Sequence, residues 1–65
     1  MSKVFGTIAQ AIDVIVRHRP GITQRELCEA IGVGSVANDC GYLAEEGYVR
    51  RDDSTGVARY YSGAA

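Results

Sequence analysis

The sequence predicts a mainly α fold, three short helices closed by a small β-hairpin, and three observations predict it. Apolar residues recur at three- and four-residue steps in three separate stretches. Glycine or proline ends each stretch, and the tail carries two short β-favouring runs around a polar turn. A chain of 65 residues holds at most one domain, and 1–65 is read as a single one. At this size folding buries only ~60% of the surface that the unfolded chain exposes, so the core is small.

The first helix is expected over 3–18. Ser2 is placed to cap it, and Val4, Ile8, Ala11, Ile12, Ile15 and Val16 share one face. Pro20 pushes Arg19 out of the helical region and Gly21 suits a turn. Arg17, His18 and Arg19 thus end the helix, where cations either complement its dipole or serve a ligand. Thr23, with Glu26 three residues on, forms a capping box for a second helix over 24–31, and Ile22 ahead of it can staple to Leu27. Leu27, Cys28 and Ile31 make its inner stripe and Gly32 stops it. Ser35 is read as the cap of a third helix over 36–46, with Val36, Cys40 and Leu43 inward and Gly47 as its stop. Tyr48 and Val49 open a strand, Asp52 to Gly56 turn, and Val57 to Tyr61 return, giving a hairpin over 48–61. Two helices joined by a tight glycine turn, with a ribbon directly behind, make a helix-turn-helix with a β wing.

Composition removes several alternatives. Hydrophobic residues at 46% and charged residues at 23% are those of a folding chain, not a disordered one. Two cysteines without CxxC spacing and a single histidine supply neither a zinc site nor a disulfide framework. Cys28 and Cys40 are therefore expected to be reduced and buried, and no metal or cofactor is expected. Val4 to Val16, broken by Thr7, Gln10 and Asp13, is too short and polar to cross a bilayer, and the start lacks a secretory pattern, so a cytoplasmic address is expected. With no glycine-rich phosphate loop, one histidine at a helix end and an Asp52–Asp53 pair pointing apart, neither catalysis nor a small-molecule substrate is expected.

The fragments "TQRELCEAIGV" and "LAEEGYVRR", in this order and at this separation, carry a family likeness. From Ile22 to Tyr61 the chain resembles the winged helix-turn-helix domains of bacterial and phage transcriptional regulators, MarR-like and ArsR-like in the broad sense. There the second helix often runs T-x-x-E-L-A-x-x-L-G-V and the third often closes L-x-x-x-G-L-[VI]-x-R. This chain departs in a shorter link between those helices, a third helix poor in cations and a brief wing turn. The resemblance implies a regulator bound to double-stranded DNA, with the third helix in the major groove and the wing on phosphates or in the minor groove.

On that pattern Ser35, Ala37, Asn38, Asp39, Gly41 and Tyr42 form the outer face of the third helix. Asn38 suits a bidentate pair with adenine, Asp39 can accept from cytosine, and Ser35 with the neighbouring amides can hold a phosphate. Arg50, Arg51 and Arg59 of the wing, with Arg25 and Arg19, are candidates for phosphate contact. Strand alternation turns Arg50 and Arg51 to opposite faces, and one of them can instead pair with Asp52, Asp53 or Glu46. Charge points the other way. Seven Lys and Arg stand against eight acids, a net charge of −1 with pI near 5.6, where DNA-binding domains usually carry a positive excess. A homodimer is expected through the first helix or the last strand, because Phe5, Ile12, Val16, Tyr60 and Tyr61 exceed what one small core needs. The alternative is a protein-binding module that presents Tyr42, Tyr48, Tyr60 or Tyr61 and does not touch DNA.

Overall fold

In the computed structural model, residues 7–63 are described; Ser2, Val4 and Phe5 lie outside them. The elements run α1 (Thr7–His18), β1 (Ile22–Thr23), α2 (Gln24–Ile31), α3 (Ala37–Glu45), β2 (Val49–Asp52) and β3 (Arg59–Ser62). The described residues form three helices and one small antiparallel sheet, in the order β1-β3-β2. No described helix is long and apolar enough to cross a membrane.

Local chemistry sets most of these boundaries. α1 ends where Pro20 requires it, with His18 Nδ1 donating to the Val14 carbonyl at 2.9 Å, so the last turn is closed by one of its own side chains. α2 starts on the expected capping box: the Glu26 amide donates to Thr23 Oγ1 at 3.2 Å and the Thr23 amide donates to Glu26 Oε1 at 3.0 Å. It ends on Gly32 at φ 87°, a left-handed conformation that costs glycine nothing. α3 begins one residue later than expected. Val36 occupies the cap position without a side-chain bond, and the Ser35 hydroxyl accepts at 3.3 Å from the amide of Ala37, the first helical residue.

The hairpin differs more. β2 extends to Asp52, β3 begins only at Arg59, and Val57, expected in the returning strand, is 51% exposed in the link between them. Asp52 sets the turn by accepting the Ser54 amide at 2.9 Å. β3 also has a second neighbour that the sequence pattern does not show: Ile22 pairs with Tyr60 and Thr23 with Arg59, making a sheet of three strands.

The core gathers Ala9, Ile12 and Val16 of α1, Ile22, Leu27, Val36, Cys40, Leu43, Val49 and Tyr60. The expected seam of the two short helices is thus present at Leu27, Val36, Cys40 and Leu43, while Cys28 and Ile31 are only half-buried. α1 packs on α2, α3 and β3 and so joins the pair to the sheet. Ile12 and Val16, expected to be available to a partner, are wholly inside this core, as is Tyr60. Asp13 is buried beside them. Its Oδ2 accepts from Arg17 Nη2 at 3.1 Å, and its Oδ1 has no partner among the described residues.

Truncating Leu43, with 0% of its surface exposed, is expected to cost ~2–5 kcal/mol. A core of this size rarely supplies more than ~3–5 kcal/mol. Leu43→Ala should therefore lose its cooperative urea transition by circular dichroism, while Val14→Ala, at a 53% exposed position, should shift stability by no more than ~0.5 kcal/mol.

Candidate functional site

Two surfaces collect the residues singled out from the sequence. The first is the rim of α3. Burial of Val36, Cys40 and Leu43 turns Ser35, Ala37, Asn38, Gly41 and Tyr42 to solvent, while Asp39 is half-buried rather than fully outward. Burial raises the Tyr42 hydroxyl above its usual range, with the charges of Glu46 and Tyr48 adding to it. Glu45 and Glu46 are exposed at the far end of the helix.

Gly41 lies mid-helix on this rim, and a Cβ added there would meet nothing within 4 Å. No contact inside the described chain requires a glycine at a position where it costs ~1 kcal/mol relative to alanine.

The second surface is the sheet. Ile22, Val49 and Tyr60 face the core, and register places Arg51 opposite Tyr60, hence on the core-facing side at its open end. There Arg51 Nη2 lies 3.8 Å from Asp53 Oδ2, the acid pairing that the sequence left open for one of the two arginines. Arg50, opposite Tyr61, is on the outer side. Its guanidinium carbon stands 4.7 Å from the Tyr61 ring centroid, a cation–π stack. Arg59 is half-buried and donates from Nη1 to the Gly21 carbonyl at 2.8 Å. The sheet's three arginines are therefore in three different situations: stacked, ion-paired and anchored to backbone. Arg25, on α2, faces Glu29 at 3.6 Å with both side chains largely exposed, a pairing worth ~0–1 kcal/mol that does not remove the cation from use.

The structure adds two participants that pattern alone did not reveal. Tyr61 is the platform under Arg50. Gly21 takes the Arg59 bond and packs on Tyr61, where a Cβ would come 3.5 Å from the hydroxyl. The β2–β3 pairing brings Arg50 to Tyr61, and the β1–β3 pairing brings Gly21 to Arg59 and Tyr61 across a wide separation in sequence.

The cysteines also separate. Cys40 is buried as expected, but Cys28 is half-buried, and neither forms a disulfide. Burial pushes the Cys40 thiol up to about 11, against a hydrogen bond with Tyr60 that pulls the other way. Among the described residues no group of three or more His, Cys, Asp or Glu is placed to hold a metal ion. Set against family models, curated proteins and solved structures, the chain matches none.

Gly41→Ala is expected to raise stability by ~1 kcal/mol in urea titrations; a loss would mean that the helix needs the glycine for its own packing. At about pH 8, Cys28 should react readily with a thiol reagent while Cys40 reacts only as fast as the domain opens. A thiol raised from 9.0 to about 11 in the folded state holds its proton more tightly there. Its contribution to stability is complete below the unfolded value and is lost as pH climbs through the folded one. Alkaline unfolding monitored by circular dichroism should begin in that interval and shift upward in Cys40→Ala once the variant's lower neutral-pH stability is subtracted.

Proposed function

We propose that the chain is a winged helix-turn-helix domain that binds double-stranded DNA, with α3 as the reading helix and the β2–β3 hairpin as the wing. The observation that carries this reading is the rim of α3. Ser35, Ala37, Asn38 and Gly41 are small or amide-bearing, exposed side by side, and backed by a fully buried seam that fixes their direction. A helix of this kind can approach base edges closely, and Asn38 is its best hydrogen-bonding reader. An alanine-to-glycine step at Gly41 brings the helix backbone nearer to whatever lies against it, which gives a reason outside the chain for a residue that has none inside it. A regulatory role in a bacterial or phage setting follows from the sequence likeness.

The protein-binding alternative depends on exposed tyrosines, and their placement favours it less. Tyr60 is 2% exposed, with its hydroxyl accepting from Gln24 Nε2 at 2.9 Å. Tyr48 is half-buried, and Tyr61 is half-buried beneath Arg50. Tyr42, at 37%, is the most exposed of the four, and it belongs to the same rim. A homodimer through α1 likewise draws no support from Ile12 and Val16, which face the chain's own core.

A salt-titrated gel shift on duplex DNA surrounding the protein's own gene tests the proposal. Affinity should fall linearly in log–log form with salt. Asn38→Ala should weaken the preferred site by ~1–3 kcal/mol and flatten the preference over other sequences. No retention of any duplex at low salt, or an Asn38→Ala protein with unaltered sequence preference, would overturn it.

A further inference from the structure

We infer that the outer face of the sheet, centred on Arg50 and Arg59, seats successive phosphates of one DNA strand, with Tyr61 as the positioning residue. This rests on the DNA reading above and says which side of the wing meets the backbone.

Four features of that face support it. First, Arg50 is exposed but not loose. Its guanidinium carbon stands over the half-buried Tyr61 ring, 4.7 Å from the centroid, and a guanidinium seated over a ring keeps N–H groups toward solvent, where an anion can take two of them. Second, Tyr61 is itself held. Its hydroxyl and ring edge rest on Gly21, at 3.5 to 3.9 Å from where a Cβ would stand. Third, Arg59 spends one N–H on the Gly21 carbonyl and keeps its others. Both cations are thus largely ordered before anything binds, which lowers the entropy lost on binding. Fourth, pairing Arg50 with Tyr61 and Asp52 with Arg59 makes the two arginines diagonal neighbours on adjacent strands, with their backbone positions about 7–8 Å apart. Two guanidiniums that start from separate strands and have separate anchors can each take an oxyanion of its own, which consecutive phosphates of a nucleic-acid backbone offer and a single acidic side chain does not.

The acids around it limit the attraction without cancelling it. Asp52 shares the face, and the Ser54 amide holds its carboxyl below the usual range, so it stays charged. Glu26 is similarly lowered, chiefly by the Thr23 amide, and feels both Arg19 and Arg59. Arg19, Arg50 and Arg59 against Asp52 and Glu26 still leave a local positive excess in a chain whose net charge is −1. The opposite side of the ribbon lacks this arrangement, because there Arg51 faces Asp53.

The test compares the salt dependence of duplex binding for the full chain and for Arg50→Ala, Arg51→Ala, Tyr61→Leu and Tyr61→Phe, each checked by thermal melting for an intact fold. Arg50→Ala should reduce the log–log salt slope by about 1 and weaken binding similarly on every duplex sequence. Arg51→Ala should change it less. Tyr61→Leu should reproduce part of the Arg50→Ala loss, and Tyr61→Phe, which keeps the stack, should retain wild-type binding. A wild-type slope in Arg50→Ala, or a larger effect from Arg51→Ala, would overturn this inference while leaving DNA binding through α3 intact. Failure of the unmodified chain to hold any duplex would overturn both.

Discussion

Burial of the Tyr60 ring is the constraint on which the rest of this structure depends. Tyr60 lies in the central strand, pairs with Ile22 on one side and Arg51 on the other, and sends its side chain into the core with 2% of its surface exposed. Its hydroxyl is not stranded there, since Gln24 donates to it from the first turn of α2. One side chain thus joins sheet, core and helix pair. Because side chains alternate along a strand, this also fixes everything outside. A slip of one residue would put Arg59 or Tyr61 into the core, at a cost far above what so small a domain can absorb. The outward stack of Arg50 on Tyr61 follows from the inward direction of Tyr60.

How much of this is legible in the sequence depends on how local each cause is. α2 is readable to the residue because Thr23, Glu26 and Gly32 each act within one turn of the helix they bound. The end of α1 is readable for the same reason, through Pro20. β1 is not, because two residues have no periodicity. Ile22 is visible as an apolar residue before a cap, yet it is a strand only because Tyr60 and Arg59 lie alongside. The role of Arg59 is hidden by the same cause: its acceptor, the Gly21 carbonyl, is 38 residues away. Arg51 against Asp53, a pair two residues apart, is among the alternatives that the sequence shows. The partial exposure of Cys28 is not, because helical spacing gives direction but not depth, and an 8-residue helix at the surface leaves its flank partly open.

The acidic balance of the whole chain weighs less than its placement. At physiological salt the screening length is ~8 Å, so a phosphate senses the few charges nearest it and not the sum over the molecule. Asp13 is taken up by Arg17 on α1, and Asp53 by Arg51. A net charge near zero does remove the long-range pull that speeds association and holds proteins to DNA of any sequence. On the DNA-binding proposal the consequence is weak nonspecific affinity, so that discrimination must come from the geometry of a few contacts.

That consequence bears on Gly41. In a domain with only a few kcal/mol of stability, a mid-helix glycine costing ~1 kcal/mol is a substantial fraction of the total, and nothing within 4 Å of its missing Cβ compensates for it. When electrostatic attraction is weak, more of the proposed binding free energy has to come from close, well-shaped apposition at α3. A bare backbone on the rim of α3 improves that fit by letting the helix axis move inward, and the dispersion attraction it adds is short-ranged and indifferent to salt. The same glycine would be a pure loss in a protein that bound chiefly through charge. The nearly neutral surface and the destabilising glycine, each a difficulty when taken alone, are consistent with one design in which α3 supplies fit and the Arg50–Tyr61 side of the sheet supplies the limited charge.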